Sequence, residues 1–123
     1  MKKIILDTNF LLIPFQFKID IFSEIERICD FQYSIFILDK TINELVKIIN
    51  EQKGKNRLAA KFALDLINTK KIKILKTSDG NVDDILVTLD AIVATQDKIL
   101  IKRLKNSFRQ VIRLRQKKYL MIS

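Results

Sequence analysis

The chain has 123 residues, 48% of them apolar, a formal net charge of +9, two glycines, one proline, one cysteine and no histidine. That length and apolar content suit a single domain over residues 1–123 with its own core and little linker. Without histidine there is no Ser-His-Asp or Cys-His triad and no imidazole acid–base catalysis, so hydrolysis would have to rest on carboxylates, hydroxyls, lysines or a hard, oxygen-seeking metal.

The elements alternate between strand and helix, which predicts an α/β fold with a mainly parallel sheet covered on both faces. Lys3–Leu6 is a short isoleucine-rich run and forms the first buried strand. Apolar residues at Ile21, Phe22, Ile25, Ile28 and Cys29 give a helical stripe over 19–28. Ser34–Leu38 is a second strand. Thr41–Ile49 is a helix, with a capping box read in Thr41-x-x-Glu44. Leu58–Ile67 is a further helix with Leu58, Phe62 and Leu66 along one face. Ile72–Leu75 is the third strand, Asp83–Leu89 a short helix, Ala91–Ala94 the fourth strand and Lys98–Leu104 a helix. Val111–Leu114 is the fifth strand, and Tyr119–Ile122 is placed as an added edge strand.

Ligands of open parallel sheets bind beyond the carboxyl ends of the strands, where the strand order switches. Three acidic positions fall at such places: Asp7 directly after the first strand, Asp83 and Asp84 at the start of the short helix, and Asp97 after the fourth strand. Singly, Asp83 and Asp97 read as helix-start acids and Glu44 as half of a capping box. Asp7 is different. It lies between two apolar runs and is expected to be partly buried, which is costly for a carboxylate without a partner. Two carboxylates ~4 Å apart repel by about 4 kcal/mol at an effective dielectric near 20. A group of three or four therefore calls for a compensating cation, and oxygen ligands suit Mg2+ or Mn2+.

The charge is unevenly placed. Residues 1–97 carry 14 basic and 14 acidic side chains, whereas residues 98–123 carry nine basic ones and no acid. A one-signed patch suits a polyanion such as RNA, because neutralising phosphates releases counterions; its plainer use is solubility. Lys98, Lys102, Arg103 and Lys105 are the nearest of these cations to Asp97 and are the candidate RNA contacts. No stretch reaches the ~18 apolar residues of a membrane helix, the apolar run after Met1-Lys2-Lys3 meets Asp7 too early for a signal peptide, and Cys29 has no disulfide partner. A cytoplasmic protein without membrane association is expected.

Ile4-Ile5-Leu6-Asp7-Thr8-Asn9, Thr41-x-x-Glu44-Leu45, Val82-Asp83-Asp84 and Ile92-Val93-Ala94-Thr95-x-Asp97 stand in the order and context of PIN domains. The chain resembles that family over nearly its whole length, especially archaeal PIN proteins similar to VapC toxins and the nucleases that process pre-ribosomal RNA. The resemblance implies a three-layer α/β/α sandwich around about five strands, and metal-dependent cleavage of RNA. It implies acidic catalytic positions at Asp7, Glu44, Asp83 and Asp97, with Asp7, Asp83 and Asp97 toward the metal and Glu44 orienting water or completing the metal shell. Thr8, Asn9 and Thr95 match supporting positions. Hydrolysis by activated water would leave a 5′-phosphate and a 3′-hydroxyl. An antitoxin or RNA-processing partner and a homodimer are further implications.

The segment from Asp83 to the fourth strand is about one helical turn shorter than the family pattern. Asp83 is preferred over Asp84 as the third acid, because Asp84 would lie roughly 100° round the helix. Cys29 reads as a core residue, as do most of the phenylalanines, with Phe15 and Phe17 set apart as an exposed partner surface. Two other readings compete: a PIN-like RNA-binding or assembly module without useful catalysis, and a phosphoacceptor domain. The latter lacks an acidic pair after the first strand and an acid ending the third.

Overall fold

Ile4, Ile5 and Leu6 are apolar on both faces of one strand, and such a strand is stable only inside a sheet covered on both sides. The computed structural model, which describes all residues 1–123, places them there. In chain order the elements are β1 (Lys2–Leu6), α1 (Thr8–Leu11), α2 (Ile13–Phe17), α3 (Ile21–Ile28), β2 (Tyr33–Leu38), α4 (Asp39–Glu51) and α5 (Lys55–Thr69). They continue with β3 (Lys73–Leu75), α6 (Val82–Thr88), β4 (Ile92–Ala94), α7 (Lys98–Asn106), β5 (Val111–Arg115) and β6 (Tyr119–Ile122). The strand order is β3-β2-β1-β4-β5-β6. Every neighbouring pair is parallel except β5–β6, which is antiparallel. The sheet thus has six strands, five of them parallel. No helix is long and apolar enough to cross a membrane.

Alternation along the strands divides the core into two layers. Ile4 and Leu6 join Ile92, Ala94 and Ile112 in a cluster with Phe10, Ile13, Ile21, Ile25, Leu45, Ala63 and Ile67 from α1, α2, α3, α4 and α5. Ile5, Val93 and Val111 pack instead with Leu86 of α6 and Leu100 and Leu104 of α7. Five helices therefore cover one face and two the other.

Three local readings are corrected. The capping box over Thr41 and Glu44 does not form: α4 begins at Asp39, Leu38 occupies its N-cap, and Thr41 is buried within the helix. The helix starts early because the Asp39 carboxylate accepts hydrogen bonds from the Lys40 amide at 2.9 Å and from the Thr77 hydroxyl at 2.7 Å, turning the chain there. On α5, the buried residues are Ala59, Ala60, Ala63 and Ile67, whereas Leu58 and Phe62 are exposed. Small side chains carry that contact because they let α5 approach its neighbours closely. Phe15 and Phe17 are half-buried rather than exposed: Phe17 packs on the core and the Phe15 ring lies 6.1 Å from that of Phe62.

The short helices α1 and α2, unread in the sequence, fold the chain back after β1. Asp7 caps α1 and Pro14 sits in the first turn of α2, where its missing amide hydrogen costs nothing. The strand order reverses between β1 and β4, and the chain departs in opposite directions from their carboxyl ends. A crevice opens at that switch.

Phe10 is the largest fully buried side chain and lies three residues past Asp7. Phe10→Ala is expected to lower unfolding free energy by about 3–5 kcal/mol in urea titrations; a change below about 1 kcal/mol would contradict this packing.

Candidate active site

Backbone pairing runs one step past the ends of the central strands. The Asp7 amide donates to the Ala94 carbonyl at 2.9 Å, and the Thr95 amide donates to the Ile112 carbonyl at 3.1 Å. Asp7 and Thr95 are thereby held side by side. The Thr95 hydroxyl donates to Asp7 Oδ2 at 2.8 Å, while Asp7 Oδ1 accepts from the Thr8 amide at 2.9 Å. Thr95 Oγ1 also accepts from the Asp97 amide at 3.1 Å. Asp97 Oδ1 caps α7 through the amides of Ile99 and Leu100. Asn9 braces the other side: its Oδ1 accepts from the Gln96 amide at 3.1 Å, and its carbonyl accepts from Gln96 Nε2 at 3.2 Å.

Two further acids reach the same place from other elements. An open cleft of about 250 Å³ is lined by Asp7, Thr8, Asn9, Leu12, Glu44, Ile48, Val82, Asp83 and Asp97. Glu44 comes from the second turn of α4, a position set by the early start at Asp39. Asp83 comes from the first turn of α6, where Asn81 Oδ1 accepts from the amides of Asp83 and Asp84. Its neighbour Asp84 is exposed and pairs with Arg103 at 2.7 Å.

The loop before α6 is fastened to α4. Lys40 Nζ donates to the carbonyls of Ser78 at 2.7 Å and Gly80 at 2.9 Å, and Asp39 holds Thr77. The hydrogen bonds to Asp39 from Thr77, its hydroxyl first and its amide next, keep that carboxyl below its usual range. Asp39, Lys40, Thr77 and Gln96 were missed as supports of the cleft; no spacing in the sequence ties positions 39 and 40 to 77–80.

The cleft contains no lysine or arginine. Burial raises the Asp7 carboxyl from 3.8 to about 6; the hydrogen bonds from Thr95 and Thr8 oppose this, and the charges of Glu44 and Asp83 add to it. Asp83 is raised too, first by burial and then by the charge of Asp97, with Arg103 pulling the other way. The Thr8 hydroxyl is buried without a hydrogen-bond partner. No three acids close into a ready cage. Among the basic candidates, Lys98, Lys102 and Lys105 are exposed on α7, whereas Arg103 is engaged by Asp84.

Residues 4–117 match the PIN-like domain family. The chain belongs to that family. It is 36% identical to the ribonuclease VapC4 of Methanocaldococcus jannaschii over 99% of this chain and 97% of that protein. The PIN fold is also shared with the solved PIN domain endonuclease Utp24, at a TM-score of 0.76 and 22% identity, covering 98% of this chain and 90% of the other. A domain of a functionally unknown protein from Methanocaldococcus jannaschii superposes with a TM-score of 0.62 at 17% identity, over 94% of this chain and 92% of that one.

The raised Asp7 carboxyl makes this PIN-like fold sensitive to pH. A folded-state value of about 6 against 3.8 means that the group's contribution is fully present below pH 3.8 and is lost as pH rises through about 6. Asp7→Asn removes that loss. Without metal, the variant should match the parent near pH 4 and exceed it by about 3 kcal/mol above pH ~7 in denaturation experiments. A variant less stable than the parent at pH ~7 would show that Asp7 is held by structural hydrogen bonds that an amide cannot replace.

Proposed function

We propose that this PIN-like chain is an endoribonuclease that hydrolyses RNA phosphodiester bonds with a bound Mg2+ or Mn2+. The observation that carries the proposal is the convergence of Asp7, Glu44, Asp83 and Asp97 on one cleft with no cationic side chain in it. The similarity to a protein named as a ribonuclease supports RNA as substrate.

The residues present suit a hard divalent cation. They offer carboxylate oxygens, a buried Thr8 hydroxyl without a partner, and an Asp7 whose ionisation is resisted first by burial and then by the charges of Glu44 and Asp83. Asp7, Asp83 and Asp97 would hold the ion. The acids line the cleft without closing into a cage; Mg2+ commonly takes only one or two carboxylates and keeps several waters. When bound, the ion supplies an acidified water and offsets charge on the scissile phosphate. The Thr95 hydroxyl favours the ionised form of Asp7 against the effect of burial, and Thr8 and Asn9 line the cleft beside it. Glu44, on a separate helix, would orient the attacking water or help to hold the ion. No step needs histidine or the ribose 2′-hydroxyl, and the products are a 5′-phosphate and a 3′-hydroxyl. Lys98, Lys102 and Lys105, with Arg103 restrained by Asp84, attract the RNA backbone.

The seven-residue α6 favours one other reading: a PIN-like module that binds RNA, or assembles with an antitoxin or RNA-processing partner, with little turnover. Labelled RNA incubated with Mn2+, Mg2+ or EDTA separates the two. Cleavage is expected only with metal, and Asp7→Asn should lower it at least ~100-fold while RNA binding in EDTA persists. Binding without cleavage by the parent protein would favour the assembly module.

On α7, replacing Lys102 and Lys105 by glutamine should weaken RNA binding similarly for all sequences and flatten its salt dependence. An unchanged slope of affinity against salt would assign this charge to solubility alone.

A further inference from the structure

Beside the acid cleft lies a second depression of opposite character. It has a volume of about 280 Å³ and is lined by Gln96, Lys98, Ile101, Arg113, Leu114 and Arg115, with no carboxylate among them. None of its three cations forms an ion pair; the ion pairs of the chain involve Arg27, Arg103 and Arg109. Arg113 Nε is buried with no hydrogen-bond partner. An unpaired guanidinium donor removed from water is expensive, and a charged acceptor in the pocket would satisfy it.

The topology sets the two depressions next to each other. β1, β4 and β5 are parallel neighbours, so Arg113 and Arg115, near the end of β5, reach the same sheet edge as Asp7 and Asp97. Arg113 and Arg115 alternate with Ile112 and Leu114, which puts them on the side of Val111, the face that packs on α7. Lys98 opens α7. Gln96, which lines the basic pocket, is hydrogen-bonded twice to Asn9, which lines the acid cleft. One pair of side chains stands between a cleft without cations and a pocket without anions.

We infer that the pocket formed by Lys98, Arg113 and Arg115 binds a phosphate of the RNA backbone neighbouring the one in the acid cleft. The inference rests on the nuclease reading for its substrate. A guanidinium offers a planar fork of donors that matches phosphate oxygens, and Arg113 is presented with its Nε already desolvated. The acid cleft by itself repels a phosphate, so this pocket supplies the attraction that fixes where the strand crosses the acids. Arg113 and Arg115 are positioning residues.

The test measures binding of an eight-nucleotide single-stranded RNA in EDTA for the parent, Arg113→Gln, Arg115→Gln and the distant control Lys61→Gln on α5. Each arginine variant should bind about tenfold more weakly, with a salt slope shallower by about one, and Lys61→Gln should differ little from the parent. In the parent, the Arg113 Nε–Hε NMR signal should shift on adding RNA, and with inorganic phosphate only at much higher concentration. Arg115 is exposed, so its variant keeps the test valid if Arg113→Gln melts early. Arginine variants that match Lys61→Gln in affinity and slope would overturn the pocket, as would a signal that responds to inorganic phosphate but not to RNA. Cleavage by the parent with Mn2+ is scored separately. An intact pocket without cleavage would remove the nuclease reading and keep this one, and cleavage with an indifferent Arg113 would do the reverse.

Discussion

Asp7 and Thr95 lie 88 residues apart and meet because β1 pairs with β4. The base of the cleft, to which α4 and α6 bring Glu44 and Asp83, depends on that pairing. It carries the Asp7 amide onto the Ala94 carbonyl, sets the Thr95 hydroxyl against the Asp7 carboxylate, and orders the turn that lets Asp97 cap α7. The strand pair is buried on both faces by Ile4, Leu6, Ile92 and Ala94 on one side and Ile5 and Val93 on the other. Core packing therefore positions Asp7 and Asp97 with little freedom, and a change in β1–β4 register would shift them against Glu44 of α4 and Asp83 of α6.

The cost of this placement is electrostatic. A carboxylate held in a half-buried position beside other acids resists ionisation, and the fold gives it hydrogen bonds from Thr95 and Thr8 without a compensating cation. Lys98, Arg113 and Arg115, which form no ion pair, line a separate pocket across the Asn9–Gln96 link. Arg103, which moderates Asp83, is itself engaged by Asp84. Proteins tolerate stored repulsion of this sort where function draws on it. A divalent ion in the acid cleft, with phosphates on either side of the divide, would satisfy both charge distributions together.

The strands were legible because each is a short apolar run bounded by polar residues, and the strand-end placement of Asp7 and Asp97 follows from parallel topology alone. Glu44 was reached through the family resemblance, and its plainer local reading as half of a capping box fails: the helix begins at Asp39 rather than Thr41, and Thr77, 38 residues away, satisfies Asp39. The same distance hid Lys40, whose partners are backbone carbonyls and leave no side-chain signal. On α5, hydrophobicity pointed to Leu58 and Phe62 while the close approach was made by alanines. Arg113 and Arg115 read as part of a general basic tail. Only the pairing of β5 with β4 distinguishes them from the exposed lysines of the β5–β6 turn.

On the proposed reading, the acid cluster takes up a cation in place of the proton that burial, and then the charges of Glu44 and Asp83, favour on Asp7. Calorimetric titration with Mn2+ in buffers of different ionisation enthalpy counts the protons released on binding. With the Asp7 carboxyl at about 6, roughly three-quarters of a proton should leave per ion near pH ~5.5 and almost none above pH ~7.5, with affinity rising across that range. Binding that releases no proton near pH ~5.5, or affinity for Mn2+ that is the same at both pH values, would contradict the account.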